Sequence, residues 1–233
     1  FLAGCTGAVI TAIPAFLKVK WKASELVSSI MLNYVMLYFG LYIFSKYARD
    51  PDQAFSASYK IDPQVRLSNI LSGTRLHSGI LILLVFVALS YFFLYKTKWG
   101  YKLRIVGSNI NFAKTIGLPT TSIIIVSQLL GGFLAGVGGA VEMLGIYSRF
   151  QWTGLPGYGF DGVIVAILAK ENPVYVPFAA FFLGYLRIGA DYMYRQSDVA
   201  SEIVAIIQGL IIVLIAADAF LAKYRHRQIT KES

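Results

Sequence analysis

Apolar runs, several of them about as long as a bilayer's hydrocarbon core is thick, recur along almost the whole chain, and charge is confined to the segments between them. About 20 consecutive apolar residues carry a helix across that core. Inside lipid a spanning segment must satisfy its own backbone N–H and C=O groups, which helices do within themselves. The expected fold is therefore all-α, a polytopic transmembrane helical bundle. Composition agrees: charged residues make up 14% of the 233 and apolar ones 57%, whereas soluble domains carry about a quarter charged.

About seven membrane segments are expected, the first partial. They fall near 1–17, 28–45, 79–95, 121–147, 160–169, 174–192 and 201–220. The fifth is short and needs extension to 157–173 to cross. The chain opens at Phe1 inside an apolar stretch, without Met or a basic leader. We read that start as a truncation, with helices preceding it and residues 1–233 forming one membrane domain.

Orientation follows from the bias of Lys and Arg toward cytoplasmic loops. The segment 96–120 carries Lys96, Lys98, Lys102, Arg104 and Lys114 with no acid, and the tail 223–233 carries Lys223, Arg225, Arg227 and Lys231. Both are placed inside, as is 18–27, and the long polar connection 46–78 is placed outside. Four segments then separate 96–120 from the tail, as parity requires.

The net charge of +9 raises nucleic acid as a partner. The basic residues sit between apolar runs rather than on one solvated face, so membrane lipid is expected and nucleic acid is not. No phosphate-binding loop of the G-x-x-x-x-G-K-[ST] type is present. His77 and His226 lie far apart without metal-ligand spacing, and no nucleophile–base arrangement is visible. Neither a catalytic residue, nor a metal, nor a cofactor is expected in this chain. The single Cys5 cannot form an internal disulfide.

Three groups of residues stand out as candidates. Gly131, Ala135 and Gly139, and beside them Gly132, Gly136 and Ala140, repeat every four residues, a spacing that lets helices approach closely in lipid. Glu142, Asp161, Arg187 and Asp191 are ionisable groups within or near apolar runs, where charge is costly unless paired or hydrated. They mark either an interhelical pair, Arg187 with Glu142 or Asp161, or a translocation path. Asn33 and Gln128 are candidates for interhelical hydrogen bonds or for the same path. In the basic segment, Ser108 or Asn109 can cap a short helix, which Gly117 ends and Pro119 prevents from continuing. That helix would present Phe112, Ala113 and Ile116.

The stretch from Gly107 through Ser108, Asn109, Phe112, Ala113, Lys114 and Gly117 resembles the cytoplasmic coupling segment of ABC importer permeases, in the branch for ribose-type sugars, nucleosides and branched-chain amino acids. Leu118 stands where Ile is common. Further stretches look like the nucleoside or simple-sugar members: 29–34, 73–77, 138–145, 156–162 and 206–211, in order along nearly the whole chain. The resemblance implies a multi-pass permease subunit of a prokaryotic plasma membrane. Its implied partners are a second permease, an ATPase subunit holding ATP and Mg, and an extracytoplasmic substrate-binding lipoprotein. The coupling helix maps to 108–117. Two other readings stay open on the residues: an ion-coupled transporter using Glu142, Asp161 and Asp191 as a relay, and a membrane scaffold that binds a partner through the basic loop.

Overall fold

A computed structural model describes residues 1–52, 56–71, 73–74 and 76–196, together with Ile206, Gly209 and Val213. Apart from those three residues, the expected segment 201–220 and the stretch 206–211 lie outside the described residues, as does the tail 223–233. Eight α-helices are described: α1 (Leu2–Trp21), α2 (Glu25–Ile43), α3 (Gly79–Lys96), α4 (Lys98–Ser108), α5 (Ile110–Thr115), α6 (Thr120–Ile146), α7 (Tyr158–Leu168) and α8 (Val176–Gln196). A π-helical turn, Phe44–Ala48, prolongs α2. The chain divides into two units, Phe1–Pro156 and the part from Gly157 onward.

Among the described residues, four helices are long and apolar enough to cross a membrane: α1, α2 with its π-turn, α3 and α6. Their surfaces invert the rule for soluble proteins. Helix α2 buries none of its residues, and Leu26, Met31, Val35, Tyr38 and Phe39 are all exposed. Contiguous apolar surface of that extent needs an apolar surrounding.

The first segment runs to Trp21 rather than to 17, because Pro14 is accommodated inside the helix. Lys22 closes α1 in the left-handed region (φ 55°). Lys18, in its last turn, pairs with Glu25 at 2.9 Å across the turn into α2. Helix α6 has 27 residues, about 40 Å of rise, more than the roughly 30 Å core.

In the first unit the most extensive helix–helix contact is between α1 and α6. The connection between α2 and α3 lies against the end of α6. Ser58 N–H donates to the Phe150 carbonyl and Phe150 N–H to Ser58 Oγ, each at 2.9 Å. Ile61 and Leu67 N–H groups donate to the Ser148 and Leu144 carbonyls.

In the second unit α7 and α8 pack together. Helix α7 has 11 residues, about 16 Å, where a 17-residue extension over 157–173 was expected. A turn with Lys170 and Glu171 both left-handed (φ 49° and 58°) stops it. The apolar part of α8 covers 176–189.

Candidate functional site

The most sharply built feature is the short helix α5 between α4 and α6. Thr97, extended at ψ 154°, caps α4 by accepting from Gly100 N–H at 3.0 Å. Gly100 is required there, since a Cβ would meet the Phe93 and Leu94 backbone. Helix α4 was not anticipated; the sequence showed only a basic loop. It buries Val106, while Leu103 and Ile105 pack against the same small core.

Of the two possible caps for α5, the structure selects Asn109. Its Oδ1 accepts from the Asn111 and Phe112 N–H groups, both at 3.0 Å, covering two donors a helix start leaves unpaired. Ser108 belongs to the end of α4, where its hydroxyl donates to the Ile105 carbonyl. At the other end Leu118 N–H donates to Ala113 O and Gly117 N–H to Lys114 O, each at 3.0 Å. This is a Schellman closure, and Gly117 takes the left-handed position at φ 76°.

Capped at both ends, α5 divides its side chains into two faces. Ala113 is fully buried with Val106 and Ile123, and Leu118 packs on them. Ala113 is thus the fastening of α5 to α4 and α6 and not one of its presented residues, since its side chain packs on Val106 of α4 and Ile123 of α6. Phe112 is 54% exposed, with Ile110 and Ile116 exposed beside it. Lys114 is exposed in the last turn.

The two glycine rows of α6 have different surroundings. At Gly132 an added Cβ would strike Thr11 Oγ1 and the Gly7 carbonyl, and at Gly136 the Ala3 carbonyl. Gly131 and Gly139 face open space. The matching face of α1 is built from Gly4, Gly7 and Thr11, which the sequence reading did not single out. Thr11 Oγ1 also donates across to the Gln128 carbonyl at 3.2 Å. Gln128 lines an open groove of about 420 Å³ with Thr11, Glu25, Ser29 and Gly131. Asn33 is exposed on α2.

Arg187 of α8 takes Asp161 in the first turn of α7 as its partner, Nη2 to Oδ1. Of the two partners anticipated for Arg187 this is the second. Glu142 is half-buried on α6 and stands in no ion pair among the described residues. The side chain of Asp191 lies outside the described residues. A third charged pair was missed altogether: Arg149 Nη1 to Asp50 Oδ2 at 3.0 Å, with side chains 17% and 10% exposed. Phe44 packs on Phe150 beside it, centroids 5.0 Å apart. The His77 ring lies where Cβ atoms on Gly79 and Gly145 would fall, and its Nδ1 accepts from Gly79 N–H at 3.1 Å. Among the described residues no cluster of three His, Cys, Asp or Glu could hold a metal.

Comparison with known proteins supplies the frame for these features. The chain is 34% identical to the guanosine ABC transporter permease protein NupP of Bacillus subtilis, over 92% of the chain and 63% of that protein. It is 30% identical to the glucose ABC transporter permease protein TsgB13 of Haloferax volcanii, over 97% of the chain and 62% of that protein. To the nucleoside ABC transporter permease protein NupB of Lactococcus lactis it is 29% identical, over 90% of the chain and 60% of that protein. It therefore spans about three fifths of the length of these relatives. No solved structure matches it. The family model for the permease component of branched-chain amino acid transport systems matches residues 1–216, and the chain, a multi-pass helical membrane protein, belongs to that family.

Proposed function

We propose that this chain is the transmembrane part of an ATP-driven importer, in which α5 is the peg that a separate ATPase subunit grips. The observation that carries the reading is the division of α5 into two faces. Ala113 locks it to α4 and α6, while Phe112, Ile110 and Ile116 stand outward on a helix too short to be stable alone. A push on the outward face passes directly into α6 through Ala113 and Ile123.

The Lys and Arg residues of 96–120, Lys96, Lys98, Lys102, Arg104 and Lys114, favour the cytoplasmic side for this peg, where ATP is found. Lys102, Arg104 and Lys114 around it suit an acidic rim on the partner. The 46–78 connection then lies outside, where a substrate-binding lipoprotein would deliver solute, and a second permease would complete the pathway. The family membership and the relatives' substrates favour nucleosides or simple sugars as cargo. ATP and Mg belong to the partner in this reading, and the membrane is the plasma membrane of a prokaryote.

Replacing Phe112 with Asp puts a charge at the centre of the outward face without touching Ala113. The expected outcome is loss of ATPase co-purification and at least a tenfold fall in labelled nucleoside or sugar uptake, about 1.4 kcal/mol of contact energy or more, with normal membrane insertion. Uptake and co-purification both at the level of the unaltered permease would refute the coupling role.

A further inference from the structure

The turn from α3 into α4 holds a groove of about 520 Å³, which shares Lys102, Arg104 and Ile116 with the surface given above to the ATPase subunit but also takes in Lys96 and Lys98, which that reading leaves without a role. Four cations line it, Lys96, Lys98, Lys102 and Arg104, together with Tyr95 and Tyr101. The sequence has no Asp or Glu from 63 to 141, and none of the four is in an ion pair among the described residues. Aromatic rings hold two of them: Arg104 Cζ is 4.7 Å from the Tyr95 ring centroid and Lys102 Nζ is 5.7 Å from that of Trp99. Such contacts orient a cation but leave its charge unneutralised.

The position of the groove and its remaining walls narrow the ligand. Tyr95 and Lys96 are the last residues of the apolar helix α3, so the groove opens where that helix leaves the hydrocarbon and headgroup phosphates lie. Ile105, Ile116 and Leu118 complete the lining. A soluble anion would use the charge and leave these apolar walls wet.

We propose that this groove binds one anionic phospholipid, its phosphate held by Lys96, Lys98, Lys102 and Arg104 and its acyl chain lying along Ile105, Ile116 and Leu118. Because Ile116 and Leu118 form the closing turn of α5, the lipid braces the peg against α3 and α4. The binding does not rest on the importer reading; only its consequence for coupling does.

Native mass spectrometry of the full-length permease in detergent, titrated with phosphatidylglycerol, phosphatidylcholine or inorganic phosphate, tests this independently of membrane sidedness. The expected result is preferential retention of one phosphatidylglycerol per chain. Millimolar phosphate should not displace it. In the variant Lys96→Gln with Lys98→Gln the apparent affinity should fall on the order of twentyfold, about fivefold per cation removed. The variant Lys96→Arg with Lys98→Arg should keep it. Equal retention of the two lipids by the unaltered protein overturns the proposal, and that comparison stands even if the Gln variant fails to fold. Displacement by phosphate makes the groove a soluble-anion site. Loss of ATPase co-purification with lipid retention unchanged makes it a protein seat. Either result also overturns the lipid assignment.

Discussion

Gly131 and Gly132 are neighbours on α6 and belong to rows that look alike in the sequence, yet only one of them touches another helix. A methyl group at Gly132 runs into Thr11 and the backbone of Gly7, so a leucine there must push α1 and α6 apart. Overpacking of this kind costs roughly 1–3 kcal/mol. At Gly131 the same methyl meets nothing, and alanine in place of glycine favours the helix by up to about 1 kcal/mol. Gly132→Leu should therefore lower the melting temperature of the purified permease by several degrees, while Gly131→Ala leaves it unchanged or raises it slightly. A thermal melt showing equal losses for both would mean that the packed face of α6 is not the one described. Periodicity could find both rows, but choosing between them needs the register of α1. That register is set by Gly4 and Gly7, residues whose spacing alone carries no signal.

At the scale of elements, the local punctuation was legible and the long-range pairing was not. Asn109, Gly117 and Pro119 bracket α5 by chemistry that acts within a few residues, and the short helix forms where they place it. Helix α4 escaped notice because basic residues interrupt its apolar positions, and its core partner, Ile123, lies on another helix. The 46–78 connection read as a plain polar loop. Its hydrogen bonds run to 144–150, some ninety residues away for Ser58 and Phe150, a distance no local pattern can register. The Asp50–Arg149 pair clasps the two segments in a largely dry site. Removing one partner of a buried pair strands the other charge and costs about 3 kcal/mol or more. Asp50→Ala and Arg149→Ala should each lower the melting temperature and open 46–78 to protease, and Asp50→Arg combined with Arg149→Asp should recover part of the loss. If limited proteolysis cuts the single variants no faster than the unaltered chain, the clasp is not what holds this connection.

For the whole molecule the choice lies between a pathway driven by ATP in a partner and one driven by an ion gradient through the chain's own carboxylates. A relay needs a carboxylate free to take up and release a cation. Asp161 already has Arg187 as its partner, so a cation using it would first have to displace that guanidinium. Glu142 remains as the carboxylate within α6 that no cation among the described residues engages. A relay through one intramembrane acid is abolished by its amide, whereas a hydrogen-bonding or structural glutamate is largely replaced by glutamine, which keeps the shape and loses only the charge. Cells carrying Glu142→Gln should accordingly keep most of their uptake, at least half that of the unaltered permease, a loss of no more than about 0.4 kcal/mol. Uptake by the unaltered permease should stop on ATP depletion and survive collapse of the ion gradients by an ionophore when ATP is held constant. Complete loss of uptake in Glu142→Gln, with the ionophore now inhibitory, would transfer the driving force from a partner's ATP to α6 itself.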